Sequence, residues 1–215
     1  NACQLDRSKR PEAGPAPEIK MDKPQTVELD NGLKVIIMEN HKMPRVTFQL
    51  AFENDPVLEK DAAGYVEATG SLLRNGTKNR TKAEIDEEID FLGARMNTGK
   101  NGIFGMTLSE YTEKFLEIMA DVALNPTFPQ EELDKYIKRT SSGLSTAESD
   151  PNTMASNLAQ VMRYGKDHPY GELTTQKTVK NITRDLCVSH YNTYFKPNKS
   201  YLVIVGDIDK EKAEK

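Results

Sequence analysis

The candidate nucleophiles, bases and metal ligands of this 215-residue chain are few, with only three histidines and two cysteines. Cys187 and His190 stand three apart in a run with helical spacing, which puts a thiol and an imidazole on one helix face as a candidate ligand pair. No third donor sits at a recognisable spacing, and a small buried Cys beside a helix-surface His explains the pair without a metal. His168 belongs to His168-Pro169-Tyr170-Gly171, where a structural role in a turn is expected. His41 follows Glu39-Asn40 in a hairpin connection and reads as solvated. Ser71 and the pair Ser141-Ser142 lack the Gly-x-Ser-x-Gly setting of an activated serine. No Gly-x-x-x-x-Gly-Lys run is present to cradle a phosphate. The acidic stretch 84–90 reads as the solvated face of a helix, and Met119 and Met162 read as core.

The remaining cysteine, Cys3, follows the small Ala2 at the head of a segment that reaches about Pro24. That segment holds four of the eleven prolines, charges of both signs and no period of 2 or 3.6. It buries too little surface to offset its ordering entropy, so residues 1–24 read as a flexible tether. Two readings of Cys3 stand side by side. It is a cysteine that happens to lie near a terminus, or it is the lipid-carrying cysteine of a bacterial lipoprotein in the cell envelope or periplasm. The chain carries 29 Lys and Arg against 33 Asp and Glu, a formal net charge of −4. Without a basic excess, nucleic acid is a poor partner. No run of about 18 apolar residues occurs to span a membrane, which leaves a lipid anchor as the one membrane attachment to consider.

The elements that position these residues begin after the tether. Thr26 to Leu29, Leu33 to Met38 and Val46 to Phe52 read as strands, the first two joined across Asp30-Asn31-Gly32. Residues 62–73 form one predicted helix. Thr81-Lys82-Ala83-Glu84 is a capping box opening a second, with Ile85, Ile89 and Leu92 on one face and Gly93 as its stop. Residues 95–101 and 103–108 read as a hairpin. Helices follow over 111–124, 129–147, 151–164 and 183–195, before a buried strand at 201–205. Strands at both ends with helices grouped between them predict an α+β fold, with about six mostly antiparallel strands on a layer of helices. The domain spans 25–209, and 210–215 reads as the start of a further helix.

In this order and spacing the chain resembles the N-terminal domain of the M16 peptidase family. The resemblance covers about 24–209. It is carried by Leu29-Asp30-Asn31-Gly32-Leu33-Lys34-Val35, by 64–77 on the first helix, by His168-Pro169-Tyr170-Gly171, and by Pro197-Asn198 with Val203-Ile204-Val205-Gly206-Asp207. Active members carry H-x-x-E-H on that helix. Histidines four apart share a Zn²⁺ there, and the glutamate between them activates its water.

Aligned on Gly64 and Gly76-Thr77, the resemblance places Glu67 and Ser71 at the two histidine positions and Gly70 at the glutamate. The further carboxylate ligand falls near Gly143, with Glu148 the nearest acid. The implication is a degenerate motif with no catalytic residue and no metal or other cofactor in this chain, so that zinc belongs to a partner or to another part of the protein. A glycine at position 70, costing a helix about 1 kcal/mol relative to Ala, fits a face released from catalysis. Replacing Glu67→His, Gly70→Glu and Ser71→His is then expected to restore some zinc affinity.

The resemblance further implies a non-catalytic subunit that pairs with a zinc-bearing M16 protease, or with a second M16-like domain, and helps enclose a peptide substrate. That peptide would pair with the sheet edge Arg95, Met96, Asn97, Thr98 and Gly99. The alternatives are a scaffold protein built on the same fold, and the inactive half of a longer single-chain zinc protease.

Overall fold

The computed structural model describes residue 14 and residues 23–213. The tether, apart from residue 14 and residues 23–24, lies outside the described residues, and so does Cys3. Six strands form one mixed sheet: β1 (Gln25–Glu28), β2 (Lys34–Glu39), β3 (Arg45–Phe52), β4 (Arg95–Gly99), β5 (Gly102–Leu108) and β6 (Ser200–Gly206). Their spatial order is β1-β2-β6-β3-β5-β4. Every neighbouring pair is antiparallel except β2 with β6. The β1–β2 turn is built as its sequence dictates. Gly32 takes φ +85°, and the Asn31 side-chain oxygen accepts the Leu33 N–H.

The helices are α1 (Tyr65–Leu72), α2 (Lys82–Phe91), α3 (Thr112–Leu124), α4 (Gln130–Ala147), α5 (Pro151–Tyr164), α6 (Gln176–Val179), α7 (Arg184–Tyr194) and α8 (Lys210–Ala213). The architecture is the predicted α+β one. Strand alternation sends Val35, Ile37, Val46, Phe48 and Ile204 to the helix-covered face, where all are buried. Phe115 of α3 stacks on Phe48 with ring centroids 5.8 Å apart. It lies so close to β5 that a Cβ at Gly105 would meet its ring at 2.5 Å. On the other face Ile36, Met38, Phe104, Met106, Val203 and Val205 stay only half-buried.

Three differences from the sequence reading have physical causes. The helix expected over 62–73 is two pieces, a 3-10 turn at Lys60–Ala62 and α1, separated because Gly64 adopts φ +108°. The short α6 follows from a reciprocal cap, Thr175 with Thr178, too brief to leave a period. Met119 is core, as expected, but Met162 is 78% exposed. It shares an α5 stripe with Met154 and Leu158, also exposed, at i, i+4 and i+8. No residue of α5 is buried.

Candidate functional site

The first helix starts from an acidic clamp. Glu59 accepts the N–H groups of Gly64 and Val66 at 2.9 and 2.8 Å, filling the orphan donors that a glycine cap leaves open. Burial pushes the Glu59 carboxyl above its ordinary range, against the pull of those two amides. From this start, α1 carries Glu67, Gly70 and Ser71 past the β4–β5 hairpin. Glu67 is half-exposed, with Lys100 Nζ 3.8 Å away. The Ser71 carbonyl accepts a long hydrogen bond, 3.4 Å, from Thr98 Oγ1.

Gly70 is buried against the hairpin. A Cβ built there would stand 2.1 Å from both the carbonyl carbon of Gly99 and the nitrogen of Lys100. The glycine is therefore a packing requirement, which corrects its reading as a helix face merely released from catalysis. It also overturns the expectation for Gly70→Glu, because the hairpin backbone occupies the room that side chain needs. On α4, a Cβ at Gly143 would meet nothing within 4 Å, and Glu148 sits past the helix end, accepting from Gln176 Nε2 at 3.0 Å.

A zinc ion does not fit this set. The positions that the resemblance assigns to the ligands offer one carboxylate, one hydroxyl and one glycine, and the position it assigns to the base has no side chain. Among the described residues no group of three or more His, Cys, Asp or Glu is placed to hold a metal.

A family model for Insulinase (Peptidase family M16) matches residues 59–169, which contain this helix and the hairpin against it. The chain belongs to the M16 peptidase family. An uncharacterized zinc protease of Rickettsia bellii is 32% identical, across 87% of this chain and 47% of that protein. Among solved structures, a peptidase M16 inactive domain from Pseudomonas fluorescens superposes with a TM-score of 0.82 at 24% identity, covering 89% of this chain and 48% of that one. The periplasmic protease PqqL from Escherichia coli superposes at 0.71 and 21% identity, covering 91% and 23%. The chain thus spans about half the length of the curated relatives it matches.

Within this M16 domain, β4 has β5 on one side and, among the described residues, no strand on the other. The stretch Arg95, Met96, Asn97, Thr98 and Gly99 is a sheet edge, as expected. One of its carbonyls is already engaged. Arg74 donates to the Met96 oxygen through one guanidinium nitrogen and pairs with Asp86 through another. Beside this edge lies a polar cleft walled by α1, α2 and α4, containing Ser71, Arg74, Tyr136 and Arg139. Sequence reasoning passed over Tyr136 and Arg139. Their signal was spacing, since 136, 139 and 143 share one face of α4.

The other candidates fall elsewhere. Cys187 is buried, and burial pushes its thiol up. His190 is buried too, not on the helix surface as expected, because Tyr65, Tyr194 and Phe195 close around its ring. Burial pulls its imidazole down to about 4, and Nδ1 has no hydrogen-bond partner among the described residues. His41 is exposed but not simply solvated. Its Nδ1 lies 2.7 Å from Asp207, and that hydrogen bond raises the imidazole above its ordinary value. His168 does serve a turn, accepting the Tyr170 N–H at 3.1 Å. Ser141 and Ser142 lie on the far side of α4, toward α6. Much of the acidic run 84–90 is paired: Asp86 meets Arg74 and Lys82, and Glu88 meets Arg80. No helix among the described residues is long and apolar enough to cross a membrane.

Proposed function

We propose that this domain is part of a non-catalytic M16 subunit that pairs with a zinc-bearing M16 protease and contributes a peptide-pairing edge to the enclosed chamber. The observation that carries the reading is Gly70. At the position of the catalytic base, the Gly99–Lys100 peptide fills the space of any side chain. Pairing is supported by two surfaces that the domain leaves open, the Met154, Leu158 and Met162 stripe of α5 and the half-buried apolar face of the sheet. The length of the relatives, about twice this chain, equally supports a second M16-like domain in the same polypeptide. Peptide pairing is supported by β4 as a sheet edge next to a polar cleft.

By analogy with the periplasmic neighbour, the assembly sits in the cell envelope, held through lipid on Cys3 and the tether of residues 1–24. Mass spectrometry of protein from its native host should find Cys3 acylated; an unmodified Cys3 in membrane-free fractions would remove the anchor from this reading.

One observation favours a scaffold instead. Arg74 already covers the Met96 carbonyl, as a protected edge would require. The two readings separate in one experiment. Purified from its host, a pairing subunit should co-elute with a zinc-bearing M16 protein and bind extended peptides. Those peptides should lose affinity when their backbone amides are N-methylated. A protein that co-elutes with other partners and ignores peptides is the scaffold.

A further inference from the structure

We propose that the cleft beside β4 selects extended peptides bearing acidic side chains, with Arg139 as the residue that meets the carboxylate. The inference rests on β4 acting as a peptide-pairing edge. The cleft encloses about 680 Å³ and is lined by four cations, Arg74, Lys82, Lys135 and Arg139, against two carboxylates, Asp86 and Glu132. Four minus two leaves an excess of two positive charges, in a chain whose overall charge is −4. The local sign is therefore opposite to that of the molecule.

Three of the four cations are already committed. Arg74 and Lys82 share Asp86, and Lys135 lies 2.8 and 2.9 Å from Glu131 and Glu132. Arg139 differs. Among the described residues no carboxylate lies within 4 Å of it, and its guanidinium carbon stands 5.8 Å from the centre of the Tyr136 ring. An aromatic ring engages the flat face of a guanidinium and leaves its N–H fork directed outward, in the geometry that takes a carboxylate through two parallel hydrogen bonds. Asn97 and Thr98 of β4 line the same cleft. A strand paired along them sends every second side chain toward the helices, and an Asp or Glu there approaches Arg139 while the peptide backbone is held by β4.

The test is a binding titration of the full chain with three fluorescent peptides of equal length, amidated at the C-terminus. They carry Glu, Gln or Lys at alternate positions. A fourth, the Gln peptide with a free C-terminus, distinguishes a side-chain carboxylate from a terminal one. We expect the Glu peptide to bind about fivefold tighter than the Gln peptide and the Lys peptide to bind weakest, the scale of one exposed ion pair. The preference should fade in about 0.5 M salt, where such charges are screened. Arg139→Gln should abolish the Glu advantage, Arg139→Lys should keep part of it, and Lys177→Gln, outside the cleft, should not alter it. Thermal melting checks that each variant is folded.

Equal affinities for Glu and Gln peptides would overturn the acidic preference while leaving strand pairing intact. A preference that survives in Arg139→Gln, or that belongs to the free C-terminus, would overturn it as well. An acidic preference that tolerates N-methylated peptides would sink strand pairing, and with it the proposal as stated, leaving Arg139 as a carboxylate contact only. Absence of binding to every peptide would sink both.

Discussion

Gly70 and the Gly99–Lys100 peptide are in contact that leaves no room for a methyl group. Gly70→Ala would improve helix propensity in isolation, yet here it forces α1 and the hairpin apart, and overpacking of this kind costs about 1–3 kcal/mol. Urea denaturation should show a lower midpoint for the variant, and an unchanged or higher midpoint would mean that the contact is looser than described. The same geometry revises the metal experiment. Glu67→His with Ser71→His, keeping Gly70, should yield a folded protein with weak zinc binding by calorimetry. Adding Gly70→Glu should unfold it. His190 gives a second residue-scale prediction. Its folded value near 4 lies below the ordinary 6.5, so the unfolded chain binds the extra proton between these limits. Stability is then full above about pH 6.5 and falls as pH drops toward 4, by on the order of 3 kcal/mol. His190→Phe should flatten that part of a stability-against-pH curve; an unchanged slope would assign the acid sensitivity elsewhere.

At the scale of elements, the loop from α1 to α2 is tied to α3 through one carboxylate. Asp121 accepts from Thr77 Oγ1, Asn79 Nδ2, Arg80 Nη1 and Asn125 Nδ2 at 2.6 to 2.9 Å. Burial alone would push its carboxyl up; these donors outweigh burial and hold it below the usual range. Asp121→Ala leaves Arg80 with Glu88 as its one carboxylate and takes an acceptor from Thr77, Asn79 and Asn125, and should cost about 2 kcal/mol in chemical denaturation. A loss under about 0.5 kcal/mol, the scale of an ordinary surface substitution, would mean that the loop is held by other contacts. Much at this scale was legible in the chain. The Thr81–Glu84 box and the Asn31-Gly32 turn are local chemistry, and each forms where its residues stand. What stayed hidden depends on distant partners. Nothing near Gly70 announces Gly99, nothing near His190 announces Tyr65, and the i, i+4 pattern of Met154, Leu158 and Met162 reads the same whether it covers a core or faces outward. The edge position of β4 was anticipated through the resemblance to the family, not through any property of those five residues.

For the molecule as a whole, α5 supplies the prediction. Leu158→Lys combined with Met162→Lys replaces apolar side chains that the domain itself leaves exposed, so the melting temperature should hardly change. If α5 is a pairing surface, the same variant should lose co-elution with its zinc-bearing partner on size exclusion. Retained co-elution would move the interface to another face.

The placing of β6 reaches further still. It lies between β2 and β3, strands that are neighbours in sequence but do not pair with each other. Without residues 200–206, β1 and β2 have only each other to pair with, β3, β5 and β4 form a separate set, and one side of β2 and one of β3 lack their folded partner. The last of these six strands in chain order is the one that joins them. Such long-range closure is slow, and the wait exposes two sheet edges to wrong pairings. Folding of this domain is therefore sensitive to how quickly β6 arrives.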